Sequence, residues 1–269
     1  MIRFTLRAPP DQRLDLSPLV PDRLTGLDQG TIERIGVSTT RAALCVGDVF
    51  TVRLGDPAGI AFDGGSERFD HLGEALSAGE IIVEGDVGQF AGRRMGGGRL
   101  EIRGDAGGWA ASGMRGGRIE ILGRAGERLG GPAAGELAGM AGGIVVVRGS
   151  VGERAGDRLR RGLIVVEGDA AGWAGSRMIA GTLVVCGTAG ALPGYLMRRG
   201  TLLLGRAETL SPTFVPTGGP AKVFLRLLAA ELRQLSEPAA GLAAAPLQRL
   251  MGDMATLGLG EMLLPSGHG

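Results

Sequence analysis

The sequence predicts an all-β chain: a right-handed parallel β-helix of 19-residue coils, with an N-terminal cap and a C-terminal helical extension. Three observations lead there. Glycine supplies 51 of 269 residues, far above an average usage of about 7%. Yet 44% of the chain is hydrophobic, too much for a disordered glycine-rich polymer, and no sustained Gly-X-Y triplet exists to suggest collagen. Finally, a glycine followed by a short apolar strand recurs at residues 79, 98, 117, 143, 162, 181 and 200. The spacing is 19 every time except once, where it is 26, and such a fixed period is the mark of stacked repeats.

Residues 1–59 read as the cap. They contain short strand-like pieces at 2–6 and 50–54 and several proline-rich turns. Stacked strands expose unpaired edges at their ends, which something must cover.

Residues 60–210 are the repeat array. A partial coil starting at Ile60 places Phe62, Gly73 and Leu76 in the strand, bend and methionine columns. In the full units, apolar residues lie two and four places after the start: Ile81 and Val83, Leu100 and Ile102, Ile119 and Ile121. This is strand periodicity. A Gly-x-x-Gly-x-x-x-Gly bend follows, as at Gly85, Gly88 and Gly92, with alanine once in two units, at Ala111 and Ala171. These bends are not read as phosphate loops, because no Lys-Ser/Thr accompanies them. A methionine column (Met95, Met114, Met140, Met178 and Met197, with Leu159 in the remaining unit) reads as core. Nineteen residues with one strand and two bends suit a single coil, stacked about 4.8 Å from the next.

Two outward rows carry more information. Five places after the start, Glu84 lies beside Arg103 and Arg148 beside Glu167, a solvated face. Three places after the start the row reads Ile82, Glu101, Glu120, Val146, Val165, Val184 and Leu203. Its aliphatic end predicts a covered surface, under the C-terminal segment or a partner. The single long unit carries seven extra residues, 131–137, expected to loop out from one bend.

Residues 211–269 change character. A linker over 211–220 leads to a helix over 222–235, with Phe224, Leu225, Leu228, Leu232 and Leu235 on one face. A weaker helical stretch is read over 247–255.

Composition narrows function. Net charge is +1, so no general attraction to nucleic acid or anionic lipid is expected. The two histidines, His71 and His268, and two isolated cysteines, Cys45 and Cys186, form no metal-ligand spacing. The cysteine usage fits a reducing cytosol. There is no signal-like start and no apolar run of about 18 residues, so a cytoplasmic chain without a membrane partner is expected. No catalytic, cofactor-binding or metal-binding residue is assigned. The best polar constellation for an enzyme acting alone is Asp70, His71 and Glu74, and adjacency in a turn is usually structural. Eleven places after the unit start, Phe90, Trp109 and Trp173 share a column with Arg128, Arg154 and Leu192. Rings alternating with arginines are what interfaces favour, so Phe90, Trp109, Trp173, Arg128 and Arg154 are the candidate interface. The rings could equally cover their own corner against Ala110 and Ala174.

The unit Gly-Gly-x-Ile-x-Val-x-Gly-x-x-Gly-x-x-x-Gly-x-x-Met resembles the repeat of the formylmethanofuran dehydrogenase C-subunit family over about residues 60–205. It is more distantly similar to the β-helical C-terminal domain of large glutamate synthase subunits. The expanded unit ending at residues 137–143 and the tail at 252–261 favour the first family, and the tail resembles its closing helical extension in a bacterial formyltransferase/hydrolase complex. That resemblance implies a scaffold subunit without catalytic residues. Its neighbours would be amidohydrolase-like, formyltransferase and dehydrogenase-like subunits, with metal in a partner subunit. The bacterial complex would pass the formyl group of formyl-tetrahydromethanopterin to a methanofuran-like carrier and hydrolyse it to formate, in methylotrophic one-carbon metabolism. The archaeal alternative is a molybdenum or tungsten dehydrogenase. A further alternative has the outward arginines (Arg93, Arg94, Arg115, Arg128 and Arg154) grip the carrier's acidic tail.

Overall fold

The computed structural model describes residues 1–39 and 41–267. The chain opens with β1 (Ile2–Leu6), β2 (Leu14–Asp15), three short helices, α1 (Pro21–Leu24), α2 (Gln29–Glu33) and α3 (Val46–Val49), and then β3 (Phe50–Arg53). The repeat region supplies β4 (Gly59–Asp63), β5 (Phe69–Asp70), β6 (Glu80–Glu84), β7 (Arg99–Ile102), β8 (Arg118–Ile121), β9 (Ala141–Val147), β10 (Arg161–Val166), β11 (Thr182–Ala189) and β12 (Arg199–Ala207). After it come β13 (Val215–Thr217), α4 (Lys222–Arg233), α5 (Glu237–Ala244), β14 (Leu247–Gly252) and β15 (Leu259–Pro265).

Thirteen of these strands form one sheet in the order β13-β14-β15-β12-β11-β10-β9-β8-β7-β6-β4-β1-β3. From β1 to β15 through the repeat strands every neighbour is parallel, and only the two rims are antiparallel. Ile81 pairs with Leu100, Leu100 with Ile119, Ile119 with Val145, Val145 with Ile164 and Ile164 with Leu183. The sequence period is therefore the pairing register: across the long unit Ile119 still meets Val145, and the register shifts where Ala141, at the start of β9, meets Arg161 of β10. A second ladder of single bridges joins Ser66, Val87, Ala106, Ala125, Val151, Ala170 and Ala189 in turn.

The aliphatic columns and the methionine column lie in one continuous buried cluster. Glycine is required where units touch. A Cβ on Gly98, at φ +71°, would lie 2.6 Å from the carbonyl oxygen of Gly79 in the unit before. At the first end, Phe4, Phe50, Phe62 and Phe69 pack ring on ring, Phe4 and Phe62 stacked at 5.0 Å. This aromatic plug replaces the aliphatic ladder where the array stops.

A second, separate cluster lies on the outer face. Val146, Val165, Val184 and Leu203 are covered by Leu228, Leu232 and Leu235 of the α4 region and by alanines of α5. The cover over the outward aliphatic row is thus the chain's own C-terminal segment. Away from it the outer face is charged, as where Arg103 pairs with Glu84 at 2.5 Å, and at its border Glu167 pairs with Arg148 at 2.5 Å and accepts from the Ser236 hydroxyl at 2.7 Å.

Two expectations are corrected. Residues 247–255 are not helical. Leu247–Gly252 is a strand antiparallel to β15, and the tail at 252–261 turns into β15 itself. The open edge of β12 supplies hydrogen bonds that outweigh the leucine spacing, and the second helix is the alanine-rich Glu237–Ala244. In the partial coil, Phe62 pairs with Val83 rather than sharing the column of Ile81. Its strand is offset by 21 residues, while its bend keeps the 19-residue offset through the bond from Gly92 N–H to the Leu72 carbonyl.

Candidate functional site

The bend after each strand presents the column of candidate residues. Phe90, Trp109, Arg128, Arg154, Trp173 and Leu192 all have φ between +54° and +62°. Bulky residues are uncommon in this left-handed region, and the residues two places later are mostly glycines in the same region. Large side chains thus occupy a backbone conformation that glycine would adopt with less strain. What they gain is mutual contact. Phe90 stacks on Trp109 at 5.5 Å, the Arg128 guanidinium lies 5.9 Å from the Trp109 ring, and Arg154 lies 5.3 Å from that of Trp173. The column divides into two groups, because no ring contact joins Trp109 to Trp173 among the described residues. All five candidate residues are half-buried.

The column also holds a residue that sequence reading did not place there. His71, nineteen residues before Phe90, has φ +59° and stacks on Phe90 at 5.1 Å with planes 12° apart. The signal was present, since residue 71 is eleven places after Ile60. Its Nδ1 lies 2.5 Å from Glu74 Oε2, and this hydrogen bond raises the imidazole pKa above its ordinary value against the opposing effect of burial. Asp70 does not complete a triad. Its Oδ1 accepts from Arg13 at 2.6 Å and from the Gln89 N–H at 2.8 Å.

The long unit's extra residues loop out beside the same column and form one wall of a groove of about 410 Å³ with Trp109, Arg128, Arg154, Arg158 and Arg177. Glu136 anchors the loop. Its carboxylate accepts from Arg93 at 3.1 Å, Arg94 at 2.9 Å and the Ala133 N–H at 3.1 Å. Burial works to raise its pKa, but the bonds from Arg94, Ala133 and Arg93 outweigh burial and lower it. Deeper in the groove, the fully buried Asp157 accepts from Ser176 at 2.9 Å and from Arg177 through both oxygens, at 2.9 and 2.5 Å. Arg154, by contrast, has no carboxylate within ion-pair distance among the described residues. Arg115 stands outside the groove lining. A second groove of about 990 Å³ is lined by Trp173, Arg124 and Arg206.

Chemically, this surface offers forked guanidinium donors and stacked rings, which recognise carboxylates and flat apolar groups. Among the described residues, no group of three His, Cys, Asp or Glu side chains is placed to hold a metal ion. His268 lies outside the described residues. Among the described residues, no helix is long and apolar enough to cross a membrane.

No family model matches the chain. It is, however, 53% identical over 266 residues, 99% of this chain and 100% of the relative, to the Fhc C-subunit of the formyltransferase/hydrolase complex of Methylorubrum extorquens. The chain belongs to the C-subunit family of formyltransferase/hydrolase complexes. A solved structure agrees, that of the Methylorubrum extorquens complex FhcABCD with methylofuran. One of its chains is 45% identical, with a TM-score of 0.95, over 98% of this chain and 99% of that one. Both relatives come from a formyltransferase/hydrolase complex, the bacterial branch of the resemblance carried by the repeat. The match runs through nearly the whole chain, from its first strands to its last.

Proposed function

We propose that this chain is the non-catalytic structural subunit of a formyltransferase/hydrolase complex. The observation that carries the reading is 53% identity along the whole chain. The geometry supports it. Polar side chains of the bends are engaged with one another, in ion pairs and ring stacks, across a long repetitive surface. The complex would convert formyl-tetrahydromethanopterin to formate through a methanofuran-like carrier. Amidohydrolase-like, formyltransferase and dehydrogenase-like subunits would do the chemistry, with metal in one of them, in the cytoplasm.

In this reading the array is a right-handed β-solenoid over residues 60–210, because parallel strands in one sheet are joined by right-handed crossovers almost without exception. Residues 1–59 are its cap, and 211–269 its cover. Phe90, Trp109, Trp173, Arg128 and Arg154 face a neighbouring subunit. The purified chain assayed alone is expected to release no formate, and a complex expressed without it is expected to fall apart on size exclusion. Formate release by the isolated chain overturns the non-catalytic reading.

A second reading, that the groove beside the loop also touches the carrier's acidic tail, is favoured by Arg154, which lacks a carboxylate partner among the described residues. Arg154→Gln is then expected to weaken carrier retention by the assembled complex; unchanged retention removes this reading.

A further inference from the structure

Helix α4 has two apolar sides. One, with Leu228 and Leu232, is buried on the sheet. On the opposite side Val223 and Leu227, one turn apart, are 71% and 68% exposed, and Ala230 continues the same line one turn further. A helix in water normally turns charge outward, so an apolar line opposite the packed face is unaccounted for by the fold. Beside it runs a row of cations, Lys222, Arg226 and Arg233, which share one side of the helix. None has an acidic group within ion-pair distance among the described residues. The three cations rim a groove of about 370 Å³ between α4 and α5, floored by Ala229 and Ala243.

From this juxtaposition we infer that the outward side of α4 and the groove beside it dock another subunit of the complex, through an apolar surface rimmed by acidic residues. The inference rests on the subunit reading above. Charge selects the occupant. In a two-fold contact between copies of this chain the same patch meets itself, so two helices packed antiparallel would set cations against cations. An acidic-rimmed apolar surface instead satisfies the row and removes Val223 and Leu227 from water together. A lipid surface fits less well, since the inner apolar side of α4 is already packed on the sheet and only a narrow line remains.

The test uses the full-length chain co-expressed with the other subunits of its complex, and measures the fraction retained on affinity capture and its dissociation rate. Leu227→Asp, and separately Arg226→Glu with Arg233→Glu, are each expected to lower retention at least tenfold. Both sites are exposed, so the melting temperature of the isolated chain should move little; Leu227→Ala gives a milder check. Capture unchanged by these variants overturns the inference. So does self-association of the isolated chain that Leu227→Asp abolishes, or binding to phosphatidylglycerol vesicles that the arginine variants abolish. If the wild-type chain itself is not captured, the subunit reading falls instead.

Discussion

Met114 illustrates what a single column position contributes. It is completely buried between Met95 and Met140 in the stacked core. Met114→Ala is expected to cost about 2–5 kcal/mol in a denaturant titration, as for large-to-small changes in packed interiors. His71 is a different kind of residue, because its contribution depends on pH. Glu74 raises its folded pKa above the unfolded value of about 6.5. A raised value means that the stabilisation is complete below about pH 6.5 and is lost as pH rises through the folded pKa. An NMR titration of His71 should therefore give a midpoint above about 6.5, and Glu74→Gln should bring it down. Cys186 lies between, half-buried near Glu167; burial pushes its thiol up to about 12. Very little thiolate exists at pH 8, so iodoacetamide is expected to leave Cys186 unmodified in the folded chain and to reach it only after unfolding.

At the scale of elements, the repeat was legible and its attachments less so. A column of Ile, Leu and Val every 19 residues can be read directly, because parallel in-register pairing makes sequence period and spatial neighbour the same thing. The outward row of Val146, Val165, Val184 and Leu203 likewise announced a cover. The cover's own structure was harder to read. Leu247 and Leu250 are three apart, which suits a helix, and only the open edge of β12, with β15 laid upon it, makes a strand the better solution. Phe62 resists reading for a related reason: the partial coil has two more residues before its bend, and no spacing rule signals that. In the candidate site, Trp109 and Arg128 could be placed in one column from their numbers. The Glu136 clamp could not, since it joins a loop to arginines more than forty residues earlier. Deleting residues 131–137 restores a 19-residue unit. It is expected to leave the circular dichroism spectrum unchanged while weakening assembly of the complex on size exclusion. Intact assembly would show the loop to be idle.

For the whole molecule, the two buried clusters are unequal partners. The first runs from β1 to the last strand, and the second exists only because 211–269 folds back over Val146, Leu163, Val165, Val184 and Leu203. A chain truncated after residue 210 should keep its repeat strands but expose that row, and light scattering is expected to show it aggregating at lower concentration than the full chain. The long unit shows how such a molecule can change without losing count. The Met140 N–H bonds to the Gly130 carbonyl at 2.7 Å and closes the base of the loop, while Ile119 still pairs with Val145 across it. The strand ladder passes over residues 131–137, and the coil bonds resume at the Gly139 N–H, which reaches the Arg158 carbonyl at 3.0 Å. Lengthening an exposed loop costs only about 0.6 kcal/mol for each doubling. The array therefore carries a port at its middle, where foreign sequence can be spliced in between Ala134 and Gly135, and the units on either side would continue to stack in step.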